Sequence, residues 1–399
     1  MTYLFWISAA AIILAYAGYP FWLWLRCRRK KMPVKRSHNV PLVSVVIAAH
    51  NEADVLPAKL RNILELNYPH NKIEVIVVSD GSTDGTGETL SEFSDNRIRL
   101  FLCERKGKSA ALNVGVENSN AGIVVFTDAR QYIEPDALGY LMQSFADPCV
   151  GCVSGELMLV DTCSRQPHTG VGLYWRLEKK LRQWESASSS VVGATGAFYA
   201  VRKHLIPRLP PGTILDDLYI PLYVARSGMR VLFDHRARAW DKVYGSRLEF
   251  QRKIRTLVGN YQLLRIAPWV LTSSNPLRFE FVGHKLMRLV APFALGAFLF
   301  SSIFMPTLPG RIALGSQILF YSAAGLSVTR LKLGLITRMA DAAHAFVLLN
   351  LAALVAFLIF VTGRKVEWGR SKAAEPSRDR TSDRFYRPGP GIIEGSATR

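Results

Sequence analysis

The sequence predicts an α/β domain with a mainly parallel sheet, set between segments able to cross a membrane. Three observations predict it. Of the 399 residues 49% are hydrophobic and 20% charged, yet the apolar ones gather in blocks near the two ends. Between about Val40 and Leu264, continuous β-branched runs alternate with helical stripes, the pattern of strands joined by helices. Polar clusters fall at the ends of those runs, where open α/β sheets bind ligands. The apolar content excludes a disordered chain. The five cysteines have no regular spacing and give no disulfide framework.

The first block, Tyr3 to Leu25, is 23 residues without a charge, and a membrane span needs about 20. Trp6, Tyr19, Trp22 and Trp24 near its ends suit the interfacial belt. A secretory signal would be shorter and start with a basic residue; here none precedes Arg26. The expected organisation is a transmembrane helix over 1–25 and a basic cytoplasmic linker over 26–39. The stretch 26–36 holds seven basic residues and no acid, which marks the cytoplasmic side and suits anionic lipid headgroups. A net charge of +19 also fits nucleic acid in principle, but basic residues beside a span argue for the membrane, and no nucleic-acid partner is expected. Three later blocks, about Leu286–Met305, Ile312–Val328 and Ala342–Val361, give a membrane domain over 266–363 with about three spans, the middle one short. Basic residues Lys285, Arg288, Arg330, Lys332 and Arg338 flank them. Four spans would leave the C-terminus outside, whereas nine basic residues against five acids from Arg364 onward favour the inside. A basic disordered tail is expected over 364–399.

The middle of the chain, 40–265, reads as follows. VSVVIAAH (43–50) has the composition of a strand buried on both faces. Leu56, Leu60, Ile63 and Leu64 form a helical stripe. KIEVIVVSD (72–80), RIRLFLCE (97–104) and GIVVFTD (122–128) are further strands, with helices around Leu90 and over Ser109–Glu117 between them. The first strand ends in His50-Asn51-Glu52, the second in Asp80 and its loop SDGSTDGT, the fourth in Thr127-Asp128-Ala129-Arg130. Carboxylates there suit a ribose hydroxyl or a divalent metal holding a diphosphate. The first strand end carries neither a dinucleotide-binding glycine fingerprint nor a P-loop, which counts against a nicotinamide site or an ATPase.

Some residues have plain structural readings. Asp84 suits a helix cap, and Asp216-Asp217 suit the first turn of a helix. Cys149 and Cys152 lack a second pair for zinc and lie in a strand pattern, so they and Cys163 read as buried free thiols. His284, beside Lys285, reads as an interfacial anchor. The amphipathic segment Ser246–Leu264 fits either a membrane-surface helix or a core-facing one.

The ordered set HNE, SDGSTDGT, KGKSAALN, FTDA, TGAFYAVR and LDD resembles the family 2 glycosyltransferases, membrane-bound relatives of cellulose, chitin, hyaluronan and poly-N-acetylglucosamine synthases. The resemblance covers about 42–265. It implies a GT-A fold, Rossmann-like, and transfer of a sugar from a nucleotide-sugar with inversion. By resemblance, Asn51, Glu52 and Asp80 bind the nucleotide. Lys108, or Lys106, approaches the uracil or diphosphate, and Asp128 holds a divalent metal, Mg or Mn. Gly196 and Asp216 lie on the acceptor side, and Asp217 stands at the catalytic base. Two positions depart from the family. Arg130 stands where a second metal-site acid would be. RKIRTLVGNYQ (252–262) stands for Gln-x-x-Arg-Trp, with Arg255 matching the arginine and Thr256 replacing the tryptophan, which weakens processive synthesis. Lys108 and Arg255 are the cations expected to meet the phosphates.

The expected partners are a nucleotide-sugar, a glycan or lipid acceptor, membrane lipids and polysaccharide export components. The expected place is a bacterial inner membrane with the catalytic domain cytoplasmic. Arg130 leaves open a second reading, a catalytically weak nucleotide-sugar-binding subunit of a secretion complex.

Overall fold

The computed structural model describes residues 1–38, 40–91, 93, 95–160, 172–242, 246–327 and 334–364. Cys163, Arg330, Lys332 and the tail beyond Arg364 lie outside them. The chain divides into an α/β unit, chiefly Lys30–Tyr244, and a helical unit of Met1–Arg29, Gly245–Ser273 and Arg278–Val366.

In the helical unit, α1 (Thr2–Ile13) runs through a π turn, Leu14–Gly18, into α2 (Tyr19–Arg29). The helix thus extends past Leu25 to Arg29, since arginines complement the negative C-terminal end of a helix. Arg26 pairs with the buried Glu280.

In the α/β unit, β1 (Val43–Ala49) is buried at every residue and lies between β2 (Ile73–Asp80) and β4 (Ile123–Phe126), parallel to both. Strand β3 (Ile98–Cys103) adds in parallel beside β2. The helices between them are α3 (Leu56–Leu64), α4 (Thr86–Ser91) and α5 (Lys108–Glu117). The sheet then changes character. Its full order is β3-β2-β1-β4-β7-β6-β8-β5. β7 (Tyr199–Arg202) runs antiparallel to both β4 and β6 (Val150–Val160). β8 (Arg230–Lys242) is parallel to β6, and the short β5 (Tyr132–Ile133) antiparallel to β8. The parallel expectation therefore describes the half from β3 to β4, and the whole sheet is mixed. Helices α6 (Ala137–Gln143), α7 (Gly172–Ser188) and α8 (Asp216–Arg226) complete the unit. Leu56, Leu60 and Ile63 of α3 pack with Val43, Val45 and Ile47 of β1 in its core.

The remaining helices belong to the helical unit: α9 (Ser246–Ile266), α10 (Arg278–Phe281), α11 (Met287–Ile303), α12 (Leu308–Leu326) and α13 (Leu335–Val361). The segment read as closing the α/β domain, α9, thus groups with the helical unit. Its Tyr261 ring stacks 5.6 Å from Phe360 of α13, the core-facing reading of its apolar side. His284 is buried and stacks on Tyr19. Among the described residues three helices are long and apolar enough to cross a membrane: Thr2–Arg29, Arg278–Ile303 and Met339–Val361. Helix α12, the short middle block, is not one of them.

One contact in the α/β unit sets how closely a helix lies on the sheet. A Cβ at Gly115 of α5 would sit 2.4 Å from Val46 Cγ1 of β1. Gly115→Ala should therefore cost about 1–3 kcal/mol by overpacking, read as a lower denaturation midpoint of the full chain in detergent. Val46→Ala in the same chain should recover part of it.

Candidate active site

The site lies beyond the carboxyl ends of the parallel strands, where β1 has β2 on one side and β4 on the other. This is the topological switch point at which such sheets bind ligands. Directly after β1, Asn51 takes φ 56°, the one non-glycine residue in the left-handed region among those described. Asparagine tolerates this conformation better than most residues. The turn is held by the loop after β2. Asn51 N–H donates to Ser82 Oγ (3.1 Å), Asn51 Oδ1 accepts from Thr83 N–H (2.8 Å), and Glu52 N–H donates to Thr86 Oγ1 (3.2 Å). Asp84 accepts from Ala53 N–H at 3.0 Å and Thr86 N–H at 3.1 Å. Burial pushes its carboxyl up, and the Thr86 hydroxyl, which also donates to it, together with these backbone amides more than offsets that, leaving it below its ordinary value. This is the capping role.

Asp80 is buried at the end of β2 and receives N–H donors from Lys106 (2.6 Å) and Gly107 (2.9 and 3.0 Å). Gly81, at φ +60°, lets the chain pass against Arg105, where a Cβ would lie 2.8 Å from a backbone nitrogen. Asp80, expected at the nucleotide, therefore organises the KGK loop with its own carboxylate. The two lysines of this loop differ in exposure. The Lys106 side chain is 69% exposed near Glu104, whereas Lys108, at the start of α5, is turned inward at 13%.

Lys108 Nζ lies 3.0 Å from Asp128 Oδ1 and 3.1 Å from Asp216 Oδ1. Burial pushes this ammonium's pKa down, but Asp128, Asp216 and Asp217 together raise it, so it is firmly protonated. Asp216, expected on the acceptor side, is buried, and its Oδ2 accepts from the Tyr199 hydroxyl at 3.2 Å. Burial, with Asp216 and Asp217 nearby, raises the Tyr199 phenol well above its usual range, so it stays a donor. Asp217, the next residue, is half-buried, and its Oδ2 accepts from Gly196 N–H at 3.1 Å. Behind it, Arg182 of α7 donates to Ser154 Oγ (2.8 Å) and Gly193 O (3.2 Å). Burial lowers the Arg182 pKa, against nearby acids including Asp217.

The structure thus brings Lys108, Asp128, Asp216, Asp217 and Gly196 into one cluster, with Asn51 and Glu52 on the loop after the neighbouring β1. Arg130 Nε is 3.8 Å from Glu52 Oε1. Arg255 belongs to α9, in the helical unit. Sequence reasoning missed Tyr199, Arg182 and Lys59. Lys59 is wholly buried under the site and donates to Thr127 Oγ1 (2.9 Å) and Gln131 O (2.7 Å). Burial lowers its pKa to about 7, against the pull of Asp128 and Asp241. Its signal was there to read, a lysine between Leu56 and Leu60 on the apolar stripe. Of the cysteines, Cys152 is buried with its thiol pushed up by burial, while Cys149 is exposed, contrary to the buried reading.

Among the described residues no three His, Cys, Asp or Glu side chains converge as metal ligands. Magnesium, however, is commonly held by one or two carboxylates with substrate phosphates and water. Asp128, with a side chain 37% exposed, fits a cation that a diphosphate completes.

The model of the family "Glycosyl transferase family 2" matches residues 44–208. The chain carries a glycosyltransferase family 2 domain. It is 28% identical over 218 residues to a probable glycosyltransferase, YdaM, of Bacillus subtilis, covering 51% of each chain. It is 26% identical over 204 residues to a poly-β-1,6-N-acetyl-D-glucosamine synthase of Staphylococcus aureus, covering 50% of this chain and 49% of that one. The chain thus spans about half the length of the curated relatives it matches. A mannosyltransferase structure from Pyrobaculum calidifontis, PcManGT, in complex with GDP-Man and Mn2+, superposes with a TM-score of 0.69 at 23% identity. It covers 91% of this chain and all of the other. That likeness is one of fold, the GT-A glycosyltransferase fold.

A Cβ at Gly196 would lie 3.3 Å from Asp217 Oδ2. Gly196→Ala should therefore displace the carboxylate and cut turnover roughly 10- to 100-fold, while the melting temperature of the full chain falls little. Steady-state kinetics beside thermal unfolding checks this.

Proposed function

We propose that the chain is an inverting glycosyltransferase. It moves a sugar from a nucleotide-sugar, a UDP-sugar, to a membrane-associated glycan or lipid acceptor in exopolysaccharide or cell-envelope glycan synthesis. The observation that carries this reading is the pairing of two neighbouring acids with different surroundings. Asp216 is buried against Lys108 and Tyr199, and Asp217 is half-buried on the Gly196 amide. The family domain and the synthase named among the relatives support it.

In this reading Asp217 accepts the proton of the acceptor hydroxyl as that oxygen attacks the anomeric carbon. The bond from that carbon to the diphosphate oxygen breaks on the opposite face, and the product is inverted. The proton leaves Asp217 for solvent, and the nucleoside diphosphate departs with the bonding pair. Lys108, held protonated, lies where a diphosphate beside Asp128 gains a counter-charge. A divalent cation at Asp128, completed by the diphosphate, would neutralise further charge on the leaving group. Asn51 and Glu52 flank the nucleotide. Asp80 supports it through the loop whose amides it binds. Gly196 faces the acceptor beside the base. Synthesis from cytoplasmic nucleotide-sugars suits a domain on the cytoplasmic side of a bacterial inner membrane, with export components receiving the product. Arg130 favours one competing reading, a weakly catalytic donor-binding subunit. Nucleotide release from a panel of sugar nucleotides by the full chain in membranes decides between them, and product size separates a polymer from a single transfer.

Asp217→Asn keeps the shape but cannot accept a proton, and a positioned base typically contributes about 100- to 10,000-fold. Turnover should fall by that order with UDP affinity nearly unchanged. Asp216→Asn should instead weaken UDP binding, because Lys108 loses the buried carboxylate 3.1 Å away that holds its ammonium in place. Calorimetric UDP titration with kinetics separates the two variants. In the same titration, Mg2+ should tighten UDP binding to the unaltered chain and lose that effect in Asp128→Ala.

A further inference from the structure

Lys59 stands outside the chemistry described above. It occupies the apolar stripe of α3 with 0% exposure, where Leu56, Leu60 and Ile63 are its neighbours along the helix. An apolar residue would fill that position without the desolvation penalty an ammonium carries. The ammonium holds a hydroxyl and a carbonyl oxygen, and the two belong to residues 127 and 131, one at each end of the short loop after β4. Asp128 and Arg130 lie between those ends. The Thr127 hydroxyl passes the connection on, donating to Ala197 O at 2.7 Å. Ala197 follows Gly196, whose N–H holds Asp217. At the other end, Gln131 Nε2 donates to Asp241 Oδ2 at 3.0 Å, which fixes that residue to β8.

We infer that Lys59 is a positioning residue for both halves of the site. Its side-chain nitrogen, donating to Thr127 and Gln131, clamps the loop that presents Asp128 and Arg130. Through the Thr127 hydroxyl it ties that loop to the segment that holds the base. The inference rests on the reading of this cluster as a nucleotide-sugar site. It adds that donor and acceptor sides share one buried support, so that disturbing the support disturbs both. A lysine kept only to satisfy the Gln131 carbonyl would leave turnover alone once the fold survives its replacement.

The test uses the full chain in lipid nanodiscs, with UDP-N-acetylglucosamine as donor probe and UDP for binding. Lys59→Met keeps length and removes charge. It should retain a cooperative melting transition and lower kcat by roughly 100-fold, the scale of a displaced reacting group, with weaker UDP binding. Amide hydrogens of residues 127–131 and 195–197 should exchange faster. Thr127→Val should reproduce the loss and Thr127→Ser restore turnover. The double variant Lys59→Met/Thr127→Val should be no worse than the poorer single one, as expected for groups acting as one unit. Unchanged kcat and exchange in Lys59→Met, or additive losses in the double variant, would overturn the inference. Should Lys59→Met fail to fold, equal turnover by Thr127→Val and Thr127→Ser overturns it instead. If the unaltered chain turns over no sugar nucleotide, the functional reading fails, and the exchange measurement still decides the clamp.

Discussion

The Lys108 ammonium between Asp128 and Asp216 is the interaction on which the rest of the site depends. Asp216 is a buried acid, and a buried charge without a partner is strongly unfavourable. Lys108 supplies that partner and in the same contact reaches the acid at the end of β4. It therefore links the first turn of α8, with Asp216 and Asp217, to the end of β4. The demands on the surrounding chain follow. The loop before α5 must bring residue 108 inward, so Asp80 gathers the amides of Lys106 and Gly107. Gly81 must let that loop pass at close range.

Much of this arrangement is legible in the sequence, because strand ends in a parallel sheet are marked by abrupt changes from β-branched to polar residues. Asn51, Asp80 and Asp128 each follow such a run. Asp216 and Asp217 open a helix visible from its own pattern. What the pattern does not carry is the division of labour between neighbours. That Asp216 turns inward and Asp217 toward Gly196 depends on Tyr199 and Lys108, which come from other strands and helices. The same holds for Lys106 against Lys108, which differ in the sequence by one glycine and in the structure by burial.

The sheet gives a second case. The alternation of strands and helices foretells the parallel half from β3 to β4. Beyond it β7 runs antiparallel between β4 and β6, and β8 returns parallel. Antiparallel pairing needs no crossover helix, so it leaves no alternation to read. It is nonetheless what places the segment before β7, with Gly196, beside the end of β4. The helical blocks were legible by length alone, but the grouping of α9 with them was not, since an amphipathic stripe does not say which apolar surface it meets.

The π turn Leu14–Gly18 in the first helix has a consequence for that helix's rotational setting. A π turn inserts one extra residue into a helical repeat, which turns everything after it by about 100° relative to an uninterrupted α-helix. Tyr16, within the turn, donates its hydroxyl to Asn350 Oδ1 at 3.1 Å. Tyr19, immediately after it, stacks on His284. Between membrane-spanning helices a hydrogen bond averages only about 0.6 kcal/mol, so the Tyr16 contact alone would account for little stability. Together the two contacts allow a single angular phase between the two halves of the helix. Straightening the turn would swing one aromatic ring off its partner while leaving hydrophobicity and length untouched. Rotational phase is thus encoded separately from the ability to span a bilayer.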